Sequence, residues 1–187
     1  MRRVTYAMNV SLDGYIAAPD ASFDFTAPDE ELFGLATDEL RDVGVHLLGR
    51  RLYQTMQYWE RTDQHPALGF STLEFAALWK ALPKVVFSTT LSALEGNARL
   101  ARGTLAQEIE RLRAEPATSD IAIGGATLAA EAAALGLIDE YRPRVHPVLL
   151  GGGTAYFPRQ EHRLALELVE ARAVSSGVLA LRYRAGR

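Results

Sequence analysis

Residues 121–128 read Ile121-Ala122-Ile123-Gly124-Gly125-Ala126-Thr127-Leu128. The first three are apolar with two β-branched members, the pattern of a short strand buried on both faces. Paired glycines end it, and the alanine-rich run at 126–135 has high helix propensity. A buried strand turning into a helix through glycine is half of a βαβ unit. The same plan recurs upstream. Residues 45–48 are apolar apart from His46 and run through Gly49 into a helical segment at 50–58. Residues 85–87 are Val-Val-Phe and run into Ser88-Thr89-Thr90. An earlier strand spans 4–10, and further helices are predicted at 28–41, 71–80 and 103–114. The first of these opens with Pro28 and the acids Asp29, Glu30 and Glu31, which suit a helix N-terminus. Thr104 and Gln107 have capping-box spacing.

Strand and helix alternate, so the central strands should be parallel with helices on both faces. After residue 137 the pattern changes. Residues 138–150 read as one long extended segment. Strands at 164–174 and 177–184 flank Ser175-Ser176-Gly177, a turn signal that predicts a hairpin. The expected fold class is α/β, with a mixed, mostly parallel sheet and an antiparallel C-terminal hairpin. No linker or internal repeat is visible, so residues 1–187 are read as one domain.

Composition limits the chemistry. Hydrophobic residues make up 48% and charged residues 23%, a globular profile. Cysteine is absent, which excludes disulfides, thiolate metal sites and cysteine nucleophiles. A net charge of -3 argues against a broad nucleic-acid surface. The N-terminus lacks the apolar core of a secretory signal and no run is long enough to span a membrane, so the cytoplasm is expected. His46, His65, His146 and His162 show no metal-ligand spacing, and His46 reads as a satisfied core histidine.

Three strand ends carry suggestive residues. Gly49-Arg50-Arg51 offers a helix N-terminus and two guanidinium forks, a fit for phosphate oxygens or an ordinary turn with solvated arginines. Ser88 and Thr89 place hydroxyls where open α/β sheets bind ligands, although such residues also favour plain turns and caps. Gly124, Gly125, Ala126 and Thr127 would let a pyrophosphate approach backbone closely, but the G-x-G-x-x-G spacing is missing and packing alone could require the glycines. Asp13, in Ser11-Leu12-Asp13-Gly14, is either a turn residue or a carboxylate in the active cleft. Gly151-Gly152-Gly153 lacks a P-loop ending and reads as a flexible turn. Phe23 and Phe25 sit in a loop suited to forming an apolar wall. Arg144 is an anion-gripping candidate or, more simply, a solvated strand residue.

Ser11-Leu-Asp-Gly-Tyr-Ile-Ala17, Leu47-Leu-Gly-Arg-Arg-Leu-Tyr53, Lys84-Val-Val-Phe-Ser-Thr-Thr-Leu91, Ile121-Ala-Ile-Gly-Gly-Ala-Thr-Leu128 and Pro147-Val-Leu-Leu-Gly-Gly-Gly153 occur in an order that resembles the dihydrofolate reductase-like superfamily. Within it, the chain looks like the reductase domain of bacterial riboflavin biosynthesis and its stand-alone relatives. The resemblance implies the three-layer dihydrofolate-reductase-like fold and NADPH as cofactor. It places Gly49, Arg50, Arg51, Ser88 and Thr89 at the adenosine 2′-phosphate, and Gly124, Gly125, Ala126 and Thr127 at the pyrophosphate and nicotinamide. Asp13 would lie beside nicotinamide and substrate, positioning or relaying a proton. Leu52 stands where dihydrofolate reductases usually carry threonine, and none of the acids in 28–41 sits in the motif of the pterin-binding carboxylate. The H-x-E and P-C-x-x-C signature of the deaminase often fused to the riboflavin enzyme is missing. The implied activity is NADPH-dependent hydride transfer to a small pyrimidine- or pterin-like heterocycle, by a homodimer with neither nucleic-acid nor membrane partners. The alternatives are an NADPH-binding module without turnover and a genuine dihydrofolate reductase.

Overall fold

The computed structural model describes residues 1–26, 29–64, 70–157, 163–174 and 176–186. Its frame is an eight-stranded sheet in the order β5-β4-β3-β6-β1-β7-β10-β9. The strands are β1 (Val4–Ser11), β3 (Val43–Gly49), β4 (Lys84–Phe87), β5 (Ala98–Leu100), β6 (Asp120–Gly124), β7 (Glu140–His146), β9 (Leu166–Ala173) and β10 (Leu179–Ala185). Short strands β2 (Tyr15–Ala17) and β8 (Thr154–Ala155) pair separately. From β5 to β7 all neighbours are parallel, whereas β10 is antiparallel to both β7 and β9. The predicted parallel centre and C-terminal hairpin are thus both present.

Alternation explains the layers. Val45 and Leu47 of β3, with Val4, Tyr6, Ile121 and Ile123, pack under α4 (Leu105–Ala114) and α5 (Ala126–Ala134). Leu48 and Val86, on the other face, pack with Tyr53, Phe75 and Trp79. That face is covered by α1 (Glu30–Arg41), α2 (Arg50–Met56) and α3 (Phe70–Ala81). Each Leu, Ile or Val fully buried in these layers contributes about 1.5–3 kcal/mol. Truncating Ile123 to alanine, at the centre of the sheet, would cost about 2–5 kcal/mol.

Helix starts follow local chemistry. Asp29 caps α1 by accepting from the Leu32 amide at 2.7 Å. The expected Pro28 start lies outside the described residues, as do His65, His162 and Ser175. Thr104 and Gln107 form the capping box of α4. The segment expected to be extended over 138–150 is strand only to His146, because Pro147 lacks the amide a ladder needs. Strands β2, β5 and β8 were not legible, being two or three residues long.

A buried charge network ties the amino ends of β1, β6 and β7. Glu140 accepts from Arg3, Arg142 and Arg182, and Asp120 accepts from Arg3 and Arg142. Burial pushes the Glu140 carboxyl up, but Arg182 and Arg142 outweigh it and hold it down at about 2. These groups sit at the edge opposite the carboxyl ends of the strands. Among the described residues no helix is long and apolar enough to cross a membrane, and no metal-holding cluster occurs.

Candidate active site

Parallel pairing brings three of the sequence-predicted elements together. Leu48 is registered with Gly124, and Gly49 with Phe87, so the ends of β4, β3 and β6 are neighbours. From β3 the chain moves outward to β4, and from β6 it moves the other way to β7. The crevice between β3 and β6 is therefore a topological switch point, where open α/β sheets bind ligands.

Gly49 is the N-cap of α2 with extended backbone and no side-chain cap. Arg50 and Arg51 are exposed, and among the described residues neither guanidinium has an ion-pair partner. Most other arginines are engaged with carboxylates, so this pair is set apart by its vacancy. Ser88 accepts from the amides of Thr90 and Leu91 at 3.2 and 3.1 Å, which makes it a turn residue, while Thr89 is exposed beside it. Gly125 is the N-cap of α5 at φ +95°, a conformation that side chains rarely adopt, and it too lacks a side-chain cap. Ala126 and exposed Thr127 follow in the first turn.

Gly124 has a packing reason to be glycine. A Cβ there would stand 2.5 Å from Leu52 Cδ2 and 2.9 Å from His46 Nε2. His46 is not the satisfied core histidine the sequence suggested, since its Nδ1 has no partner among the described residues. Burial, and then the Lys84 charge, push its pKa down to about 4, so the ring beside the glycines is neutral at physiological pH.

Asp13 is exposed at the next strand end, beyond β1. Its carboxylate accepts from Ser11 Oγ at 2.6 Å, from the Leu150 amide at 3.1 Å and from the Gly151 amide at 2.7 Å. These bonds, the Ser11 hydroxyl first, hold its carboxyl below the usual carboxylate range. A carboxylate so occupied is ionised and is a poor proton donor at neutral pH. The same carboxylate that the sequence reading gave the positioning or relay of a proton thus holds the Leu150 and Gly151 amides. What it holds is the start of the 151–153 turn, where all three glycines have positive φ and a Cβ on Gly153 would strike the Ala17 carbonyl. Leu12 N–H bonds to the Val148 carbonyl and Tyr156 N–H to that of Gly14, each at 2.9 Å, zipping the two loops together.

The face of β1 and β7 towards α1 adds Asn9 and His146, to which the sequence reading gave no role, beside Ser11 and Arg144. Asn9 is registered with Arg144 and Ser11 with His146, so period-two alternation puts all four on one face. Arg144 is neither solvated nor free for an anion: it is mostly buried and paired with Glu39 of α1. Asn9 Oδ1, Arg144 Nε and His146 Nε2 are buried without partners among the described residues. Phe25 meets the His146 ring edge-on at 5.4 Å. The two line a cavity of about 230 Å³ with Leu32, Pro147, Val148, Ser176 and Val178. Asn9 and His146 were visible only as polar residues at alternate positions, a signal that carries meaning once the pairing partner is known.

Strand order, hairpin and switch-point crevice define a dihydrofolate reductase-like α/β protein. The sequence matches the RibD C-terminal domain family over residues 2–180, and the chain belongs to that family. It is 30% identical over 185 residues to the Bacillus subtilis (strain 168) protein YyaP, covering 97% of this chain and 94% of that one. A putative riboflavin biosynthesis protein from Shewanella sp. PV-4 superposes with a TM-score of 0.74 at 21% identity, covering 99% of both chains. The Thermotoga maritima diaminohydroxyphosphoribosylaminopyrimidine deaminase/5-amino-6-(5-phosphoribosylamino)uracil reductase superposes with a TM-score of 0.68 at 14% identity, over 99% of this chain and 57% of that one.

Proposed function

We propose that the chain is an NADPH-dependent reductase acting on a small pyrimidine-like heterocycle. One observation carries the cofactor half: two helix starts without side-chain caps, glycines without Cβ atoms and an Arg50-Arg51 couple with no ion-pair partner among the described residues sit at adjacent strand ends of the switch point. Free amides and guanidinium forks suit a pyrophosphate and a 2′-phosphate. When bound, the cofactor supplies the hydride, and the chain's own residues orient it and exclude water. Asp13 acts by holding the Leu150-Gly151 turn beside the cleft. Reductase chemistry is the family's theme, and the Thermotoga relative's name specifies an aminouracil substrate. Folate reduction fits less well. Asp29 caps α1, while Glu31, Asp38 and Glu39 pair with Arg172, Arg41 and Arg144, and the α1 residue lining the cavity is Leu32.

NADPH should raise the melting temperature, since a ligand bound by the folded state alone adds about 2.7 kcal/mol at a hundredfold excess over Kd. Oxidation of NADPH in the presence of an aminouracil then separates an enzyme from a binding module, which binds without consuming. No thermal shift with NADPH removes the cofactor reading. We also propose that a second copy of the chain covers the β9 edge, where all eight residues are exposed and no strand among the described residues pairs with the outer side.

A further inference from the structure

A second cavity, of about 340 Å³, lies at the end of the sheet opposite the cleft. Its volume is within the range of small-molecule sites. It opens among the amino ends of β3, β4 and β5 and the last turn of α4, with Val45, Val85 and Leu112 as apolar walls. A buried guanidinium completes it. Arg2 is 3% exposed, and three contacts fix its side chain. Nε donates to the Ser119 carbonyl at 2.9 Å, and Nη1 donates to the Leu112 carbonyl at 3.3 Å and to Glu115 at 3.0 Å. Gly44 makes the room, since a Cβ there would stand 2.0 Å from Ser119 Oγ and 2.8 Å from Arg2 Nη2. Nη2 has no hydrogen bond among the described residues and, unlike Nε of Arg113 and of Arg144, is not sealed from solvent. A guanidinium held rigidly with one donor unused calls for an acceptor, and a carboxylate is the acceptor its charge rewards most.

Charge narrows the class of occupant. Glu115, which balances Arg2, has a side chain 52% exposed, so solvent screens that pair. Arg99, also lining the cavity, shares Glu108 with Arg111, and this trio carries one positive charge in excess. Lys84 adds no charge inside: its ammonium donates to the Trp79 and Leu82 carbonyls and pairs with Glu60, and Trp79 packs on the other face of the sheet. One uncompensated positive charge suits a monoanion, and the valine and leucine walls suit an apolar body. We propose that this cavity binds a small organic monocarboxylate with an aromatic or branched apolar body. Its carboxylate accepts from Arg2 Nη2, and its body lies against Val45, Val85 and Leu112. The site is separate from the reductase cleft, because Gly49 and Phe87 stand at the other ends of the same strands β3 and β4.

The test titrates the full chain with benzoate and with benzamide, its uncharged counterpart. Magnetic resonance of the backbone amides and of the arginine Nε–H groups locates the probe, and calorimetry reports affinity for wild type, Arg2→Met and Glu115→Gln. The expected result is a saturable shift at the Val45 and Val85 amides and at Arg2 Nε–H in millimolar benzoate. Benzamide should bind about tenfold more weakly or worse, and Arg2→Met should weaken benzoate by a similar factor. Glu115→Gln removes the resident carboxylate at an exposed position and should raise benzoate affinity about threefold. Still signals at those three groups, equal affinity for the two probes, or wild-type affinity in Arg2→Met overturns the proposal. Shifts confined to Gly49, Arg50 and Gly124 also overturn it, because they place the anion in the cleft. If Arg2→Met fails to fold, the wild-type titration and Glu115→Gln decide: benzoate affinity no higher in Glu115→Gln than in wild type overturns the site.

Discussion

Leu52 and Gly124 occupy one another's space: a Cβ on residue 124 would stand 2.5 Å from the Leu52 Cδ2 methyl. The pair joins the first turn of α2 to the end of β6, so the two halves of the switch-point crevice are packed as a unit. The departure at position 52, a leucine where a hydroxyl is usual in the resembled reductases, thus has a structural counterpart in the missing side chain at 124. Gly124→Ala should cost about 1–3 kcal/mol through overpacking, with the flexible leucine giving way first. Pairing it with Leu52→Ala should recover much of that loss. Urea unfolding of the two single variants and the double variant checks this, and strictly additive losses would show that the two residues do not share the space.

Arg50 is expected to distinguish the two nicotinamide cofactors. Its guanidinium has no carboxylate partner among the described residues, so replacing it leaves no buried charge behind. Arg50→Ala should weaken NADPH by about 1.5–3 kcal/mol and leave NADH nearly unchanged, as loss of a charge-assisted bond to a phosphate requires. Calorimetric titration of both cofactors measures it. Equal weakening of both would make Arg50 structural.

Asp13→Asn tests the clasp on the glycine turn. Asparagine keeps one acceptor oxygen but turns an amide NH₂ towards the Leu150 and Gly151 N–H groups that the carboxylate now accepts. Hydrogen exchange at those two amides should accelerate about tenfold while NADPH affinity stays within a small factor. The sign with pH follows from the depressed carboxyl: the clasp is complete above the ordinary carboxylate range and is lost as pH falls through the lowered value. Unchanged exchange together with a collapsed turnover would return Asp13 to the chemistry itself.

The Glu140 network predicts acid behaviour. Its folded carboxyl lies near 2 against an ordinary 4.5, so its stabilisation is full above 4.5 and disappears as pH falls towards 2. Glu140→Gln should cost about 3–5 kcal/mol at neutral pH by leaving Arg142 and Arg182 without their shared carboxylate. It should also flatten the stability profile over that acid range. Denaturant midpoints at several pH values measure both effects, and a variant with the wild-type acid slope would show that other carboxylates govern it.

The β9 edge predicts assembly. Light scattering at micromolar concentration should give twice the mass of the 187-residue chain, and Leu168→Lys on the exposed strand should return it to the single-chain mass. A wild-type protein that scatters as one chain removes the homodimer.

Local sequence determined the strands and helices of the α/β frame and which residues end them. Ile121-Ala122-Ile123-Gly124 reads as a buried strand stopped by glycine, and Ser176-Gly177 as part of a turn, because hydrophobic period and glycine tolerance are properties of a few adjacent residues. Motif order along the whole chain carried the family. Pairing was decided in three dimensions. That Leu48 faces Gly124, that Asn9 lies beside Arg144, and that Asp13 reaches Leu150 and Gly151 depend on registers between segments more than a hundred residues apart in two of the three cases. Tertiary structure therefore gave Asp13 its clasp and Arg144 its carboxylate, and it buried His146 Nε2 without a partner among the described residues. Hydrogen bonds and burial are relations between distant residues, and a polar side chain in a strand does not by itself say whether its partner is solvent, another side chain or a ligand.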